Sequence, residues 1–304
     1  MARSLPLPQT QVASGTDWRV RWRRYRSGYL FVLPCMLAFT IFMFGPVVWS
    51  LLLAFQDASL TTREWNGLDN FRALASDRVF RKALVNTALY AAATVPVHLL
   101  TALALAGLMR PLAARWQTFF RAAYYLPAVT SAVILASVWR WMFNAQFGAI
   151  NQLLDLGPVA WLSRPSLALW AIILSSALTI PAAGVVMYSA SMGSIPEDLY
   201  EAASLEGASA FAQWRDITVP LLKPTTLYLV VMYTIWAFEV FERVYVMTGG
   251  GPAYATTTIV QLIFDTGFRD WDYGMASAQA IVLFVIIALA SFAQFRYFRS
   301  DVEY

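Results

Sequence analysis

Few side chains in this sequence could carry covalent chemistry. There is one histidine, His98, and one cysteine, Cys35, in separate apolar runs. A nucleophilic site needs a nucleophile, a base and a group that orients the base. One His and one Cys in different segments do not supply that arrangement, and they give no metal-ligand cluster. With one cysteine there is no intrachain disulfide. The two lysines, Lys82 and Lys223, lack the Gly-x-x-x-x-Gly-Lys context. The sequence therefore carries no loop of that type to cradle a nucleotide phosphate, and an intramembrane enzyme is a poor reading. The residues left are those that could bind a ligand without reacting with it. Ser176, Thr179, Ile180 and Ala183 recur at i, i+3, i+4 and i+7, as do Tyr233, Trp236, Ala237 and Val240. Each set falls on one helical face. Hydroxyls can hydrogen-bond a polar ligand, and rings offer it apolar faces. Small and aromatic residues also line ordinary contacts between membrane helices, so both roles stay open. Glu239, Glu242 and Arg243 are ionisable within an apolar run and invite a functional reading. A self-neutralising Glu239–Arg243 pair at i, i+4 is the simpler expectation.

These residues must be positioned by membrane-embedded elements. The chain has 304 residues, 59% of them hydrophobic and 13% charged, with mean hydropathy +0.55. That is the composition of a polytopic membrane protein. The net charge of +4 comes mostly from basic residues flanking apolar runs, so it does not point to nucleic acid. Six runs each reach the ~20 residues needed to cross a ~30 Å hydrocarbon core. They cover about 29–55, 83–108, 118–143, 166–192, 225–247 and 276–295. They are continuous rather than alternating, which favours helices over strands. Residues 1–28 form an Arg-rich tail before a run too long for a signal-peptide core, so the first run is expected to be retained as a span. Six spans place both ends on one side. The tail, the 109–121 turn, the 193–224 loop and the C-terminus hold thirteen Lys and Arg against nine on the other side. That favours cytoplasmic termini. No filter-like repeat or charged pore segment suggests a channel.

The 193–224 loop is expected to contain a short helix, a turn and a second short helix. Ser194 is placed to N-cap the first, with Glu197 closing a capping box and Pro196 in the first turn. Leu199, Ala202 and Ala203 share a small apolar face, and Gly207 suits the position just past the helix end.

Glu201-Ala202-Ala203, three residues, Gly207, nine residues, then Ile217-Thr218-Val219-Pro220 resembles the loop signature of permease subunits of bacterial ABC importers. Val219 stands where that family usually has Leu, a change that keeps an apolar side chain. The longer string Ile195 to Ala203 resembles the carbohydrate-uptake branch, the maltose-type first permease. Gly67-Leu68-Asp69-Asn70-Phe71 and Thr248-Gly249-Gly250-Gly251-Pro252 resemble the same branch. The resemblance runs over roughly residues 29–304. It implies an all-α membrane protein of six transmembrane helices with the type I ABC importer permease fold.

The resemblance further implies ATPase coupling through Glu201, Ala202, Ala203, Gly207, Ile217 and Pro220. It puts solute contacts at Ser176, Thr179, Ile180, Ala183, Tyr233, Trp236, Ala237 and Val240. Several of these side chains differ from those of the maltose permease, notably Ala183 and Ala237, so position carries over more readily than the particular sugar. The implied partners are a second homologous permease, two ATPase subunits, an extracytoplasmic solute-binding protein and the lipid bilayer. ATP and Mg would be bound by the partner ATPase, with no cofactor in this chain. The function implied is import of a sugar or related polyol across the bacterial inner membrane by alternating access. Import of glycerol 3-phosphate or a glycerophosphodiester by the same machine is the near alternative, which a stronger cationic cavity would favour. A secondary transporter without an ATPase is the alternative of another class.

Overall fold

The computed structural model describes residues 18–155 and 157–297. The far N-terminal tail and the last seven residues, both assigned to the cytoplasm from sequence, lie outside these. Two compact units are present, Met1–Leu52 and Leu53–Tyr304. The first holds α1 (Trp18–Phe39), a π-helical turn (Thr40–Phe44) and the start of α2 (Gly45–Leu53). The turn widens because Pro46 has no N–H for the carbonyl four residues back. Gly45 bonds instead to the Thr40 carbonyl, five residues back.

The second unit opens with a two-stranded antiparallel hairpin, β1 (Gln56–Ala58) and β2 (Arg63–Trp65), followed by α3 (Asp69–Ser76). The hairpin was not foreseen, since three-residue strands leave no alternation to read. Asn70 is 7% exposed and donates to the carbonyls of Ala54 and Gln56, which ties α3 to the hairpin.

The central element is α4 (Arg78–Met109), which runs through Pro96 without a break. Ala83, Ala91, Ala102 and Ala106 on it are buried, and such small residues let neighbouring helices approach closely where lipid offers no hydrophobic drive. The third expected span is two helices, α5 (Ala114–Tyr125) and α6 (Ala132–Met142), bent by 89° across a short 3-10 turn at Pro127–Val129. A short α7 (Ala149–Leu153) follows. The fourth span is α8 (Pro165–Ala177) and α9 (Ala182–Gly193). Between them the chain unwinds ahead of Pro181, which cannot donate to the preceding turn.

The loop carries α10 (Asp198–Leu205), α11 (Ala210–Gln213), a π turn and α12 (Val219–Leu221). The fifth span is α13 (Lys223–Phe238) and α14 (Glu242–Met247), separated by three non-helical residues. Thr258 donates its hydroxyl to the freed carbonyl of Val240. Then come α15 (Ile259–Phe264) and α16 (Tyr273–Tyr297). Among the described residues, four segments are long and apolar enough to cross a membrane, and six if the bent pairs 114–142 and 210–238 each count as one span.

Among the described residues this unit has four buried apolar clusters, two of which include buried residues of α13. One joins Tyr90, Phe143, Ile172, Ala237 and Val244. The other joins Ala102, Val185, Tyr188, Leu229 and Tyr233 at the end nearer the signature loop.

Candidate functional site

A cavity of about 310 Å³ opens where the spans are interrupted. It is lined from α4 by Tyr90, Thr94 and His98, from the α5–α6 bend by Ala128, and from the α8–α9 break by residues 179–181. Trp236 and Ala237 come from the end of α13, and Arg243 from α14. Tyr233 and Ala237 each belong to one of the two clusters, so the cavity touches both. Irregular backbone at membrane depth is tolerated only where protein or a water-filled cavity meets its polar groups. His98 does this for the fourth span. Its Nε2 lies 2.9 Å from the Ser176 carbonyl, which also accepts from the Thr179 amide. Since a carbonyl only accepts, that nitrogen carries the proton. Tyr90 donates to the Ser176 hydroxyl at 2.9 Å, so α4 holds the break from two positions.

Seven residues of the expected solute stripe line the cavity: Ser176, Thr179, Ile180, Ala183, Tyr233, Trp236 and Ala237. Val240 does not. It is buried in the core, because α13 ends at Phe238 and helical spacing stops there. Trp236 is 48% exposed and stands 5.8 Å from the Tyr233 ring, which in turn meets His98 edge-on at 5.7 Å. The Tyr233 hydroxyl packs on Gly184, where an added methyl would overlap it.

The expected Glu239–Arg243 pair is absent. The break between α13 and α14 removes the i, i+4 relation, and both glutamates are exposed. Arg243 turns inward and donates to Ser175 at 3.0 Å and Thr179 at 3.5 Å. Tyr90, Thr94, His98 and Ala128 were not among the expected site residues. The first three repeat at i, i+4, i+8, a polar row in an otherwise apolar span that could have flagged them.

The signature loop is organised differently. Gly207 has φ +83°. Its amide bonds to the Ser204 carbonyl and the Ala208 amide to the Ala203 carbonyl, the paired bonds of a Schellman ending. The start of α10 departs from expectation. Ser194 extends the end of α9 and turns its hydroxyl back to the Ser191 carbonyl at 2.8 Å. Glu197 occupies the N-cap position without a side-chain bond, and Pro196 precedes the helix. No capping box forms.

Leu199, Glu201, Ala202 and Gly207 are exposed, as is Leu205 at 91%. Ala203, Ile217 and Pro220 are half-buried. Tyr200 lies at the centre. The Arg110 guanidinium stacks 3.8 Å over its ring, and its hydroxyl meets that of buried Thr218 at 2.9 Å. Gln213 closes the loop onto Ser204 at 2.8 Å. Asp216 is engaged by Arg215, whose hydrogen bond lowers the carboxyl pKa below its ordinary value.

At the opposite end of α4, the Gly-rich loop is pinned by side chains. Lys82 donates to the Ala253 carbonyl, and Asn86 to those of Tyr254 and Thr257. Gly249 and Gly250 adopt positive φ there.

A family profile described as binding-protein-dependent transport system inner membrane component matches residues 94–303. The trehalose/maltose transport system permease protein MalF of Thermococcus litoralis is 31% identical over 88% of this chain and 92% of its own length. The sn-glycerol-3-phosphate transport system permease protein UgpA of Agrobacterium fabrum is 31% identical over 91% of this chain and 96% of its own. In structure, the chain is similar to one from a bacterial ABC transporter involved in the import of the acidic polysaccharide alginate. The TM-score is 0.83 with 24% identity, over 94% of this chain and 99% of that one.

Proposed function

We propose that this chain, which belongs to the family of binding-protein-dependent transport system inner membrane components, forms one half of the membrane pathway of an ABC importer for a sugar or related polyol. The fold is that of a type I ABC importer permease, and the protein is a multi-pass inner-membrane transport subunit. In this reading a second homologous permease completes the pathway. Two ATPase subunits bind ATP and Mg, and an extracytoplasmic binding protein delivers the solute. Both termini and the signature loop face the cytoplasm.

The observation that carries the reading is the cavity at the span interruptions, with hydroxyls and aromatic rings on its walls. Ring faces take the apolar side of a sugar, while Ser176, Thr179 and Tyr90 present oxygen atoms to its polar edge. Alternating access follows if ATP-driven closure of the ATPases, received at the exposed face of α10, reorients the spans that wall the cavity. Glu201 and Ala202 are the contact residues at that face. Gly207 shapes its end, and Ile217 and Pro220 lie on the segment that Thr218 ties to Tyr200 of α10.

The test is purification of the chain with its cognate subunits. Co-purification of an ATPase and vanadate-sensitive uptake in proteoliposomes are expected. Uptake that survives vanadate and runs on an ion gradient would overturn the reading in favour of a secondary transporter. Import of a glycerol phosphate differs by one requirement, a cation in the cavity, and Arg243 bears on that.

A further inference from the structure

Arg243 is an ionised side chain on the cavity wall with no carboxylate within 4 Å among the described residues. Ionisable groups at membrane depth are costly and are kept where they pair with something. The groups that meet Arg243 are neutral. Ser175 commits its proton to the Ile172 carbonyl at 2.7 Å, and Thr179 commits its own to the Ser175 carbonyl at 2.8 Å. Each therefore offers Arg243 a lone pair. They orient the guanidinium without cancelling its charge. A guanidinium has five donors in a planar fork, and two are used here. The remaining donors match the paired oxygens of a carboxylate or phosphoryl group.

Resting on the reading that this cavity holds the transported solute, we propose that the solute bears an acid group, carboxylate or phosphoryl, on a polyhydroxy body, and that Arg243 is the residue that selects it. The acid oxygens pair with the free edge of the guanidinium. Tyr233 and Trp236 take the apolar face of the body. Ser175 and Thr179 act as positioning residues that hold the fork toward the cavity.

The complete importer in proteoliposomes tests this with three probes: glucuronate, glycerol 3-phosphate and maltose. Wild-type protein is expected to take up one of the acid probes in preference to maltose, and which one distinguishes carboxylate from phosphoryl. Arg243→Gln should weaken apparent affinity for that probe by about tenfold or more, as expected when a charge-assisted pair is lost. Arg243→Lys should retain part of it. Melting temperature of each purified complex guards against misfolding, and full retention of melting with loss of acid uptake supports the proposal. Uptake of maltose alone, unchanged in Arg243→Gln, overturns the acid-group proposal and leaves the sugar importer standing. Failure of both acid probes with wild-type protein also overturns it. Loss of ATPase co-purification would instead strike the transport reading beneath it.

Discussion

The cavity and the signature loop are both made where helices stop, and they differ in which hydrogen bonds close the break. In the loop the repairs are local. Gly207 and Ala208 return their amides to carbonyls of the same helix, and Gln213 reaches Ser204 nine residues away. Around the cavity the repairs cross the fold. His98 meets Ser176 across 78 residues of sequence, Tyr90 across 86, and Arg243 meets Ser175 across 68. A locally closed element can be presented to a partner as a unit. A site closed by distant side chains changes shape when those helices move. The first suits docking and the second suits alternating access.

Four substitutions sharpen or break this contrast. Gly207→Asp should have the largest effect. A non-Gly residue at φ +83° costs about 1–2 kcal/mol, and here the strain falls at the end of the helix proposed to dock the ATPase. Transport should vanish and the ATPase should fail to co-purify, while the chain still inserts. A variant that retains full ATPase stoichiometry and normal uptake removes the loop from docking. His98→Leu comes next. It leaves the Ser176 carbonyl without its histidine donor, at about 1–3 kcal/mol. Melting temperature and solute affinity should fall together, with ATPase association intact. If only one of the two falls, the cavity is not held as a unit by that bond.

Trp236→Ala should cost about tenfold in apparent affinity. Because the ring is half exposed, melting temperature should hardly change. A clear drop in melting with unchanged affinity assigns it to packing. Tyr200→Phe is the mildest. It removes the bond to Thr218 at about 0.5–1.5 kcal/mol but keeps the ring under Arg110. A modest loss of thermal stability with near-normal uptake is expected, and loss of coupling would mean that the hydroxyl, not the ring, holds the loop.

The same contrast explains what was legible in the sequence. The apolar runs announce helices because their length and continuity are local properties, and Gly207 announces a helix end for the same reason. The cavity stripe was found by helical spacing. That spacing brings Ser176 and Tyr233 to the cavity wall from intact helices and fails for Val240, beyond the break after Phe238. Arg243 was read as the partner of Glu239 because nothing in the local sequence marks the unwinding between α13 and α14. Ser194 was read as a helix start because its type and its distance to Glu197 fit a capping box. In the fold the preceding helix continues through Gly193 and its Ser191 carbonyl takes the Ser194 hydroxyl. His98 was legible only as a lone polar residue, since its partner lies in another span.

The stack of Arg110 on Tyr200 makes α4 a lever. Arg110 caps the helix at the signature-loop end, and Gly107, one turn earlier, lies close against Trp214 of the loop. Tyr90 sits twenty residues up the same unbroken rod, about 30 Å away at 1.5 Å per residue. Over that arm a tilt of about 2° pivoting at the loop shifts Tyr90 by roughly 1 Å. That is enough to part its hydroxyl from Ser176, which it now meets at hydrogen-bond distance. The latch on the cavity would then answer to a push delivered at the far end of a single helix, with no wire of side chains in between.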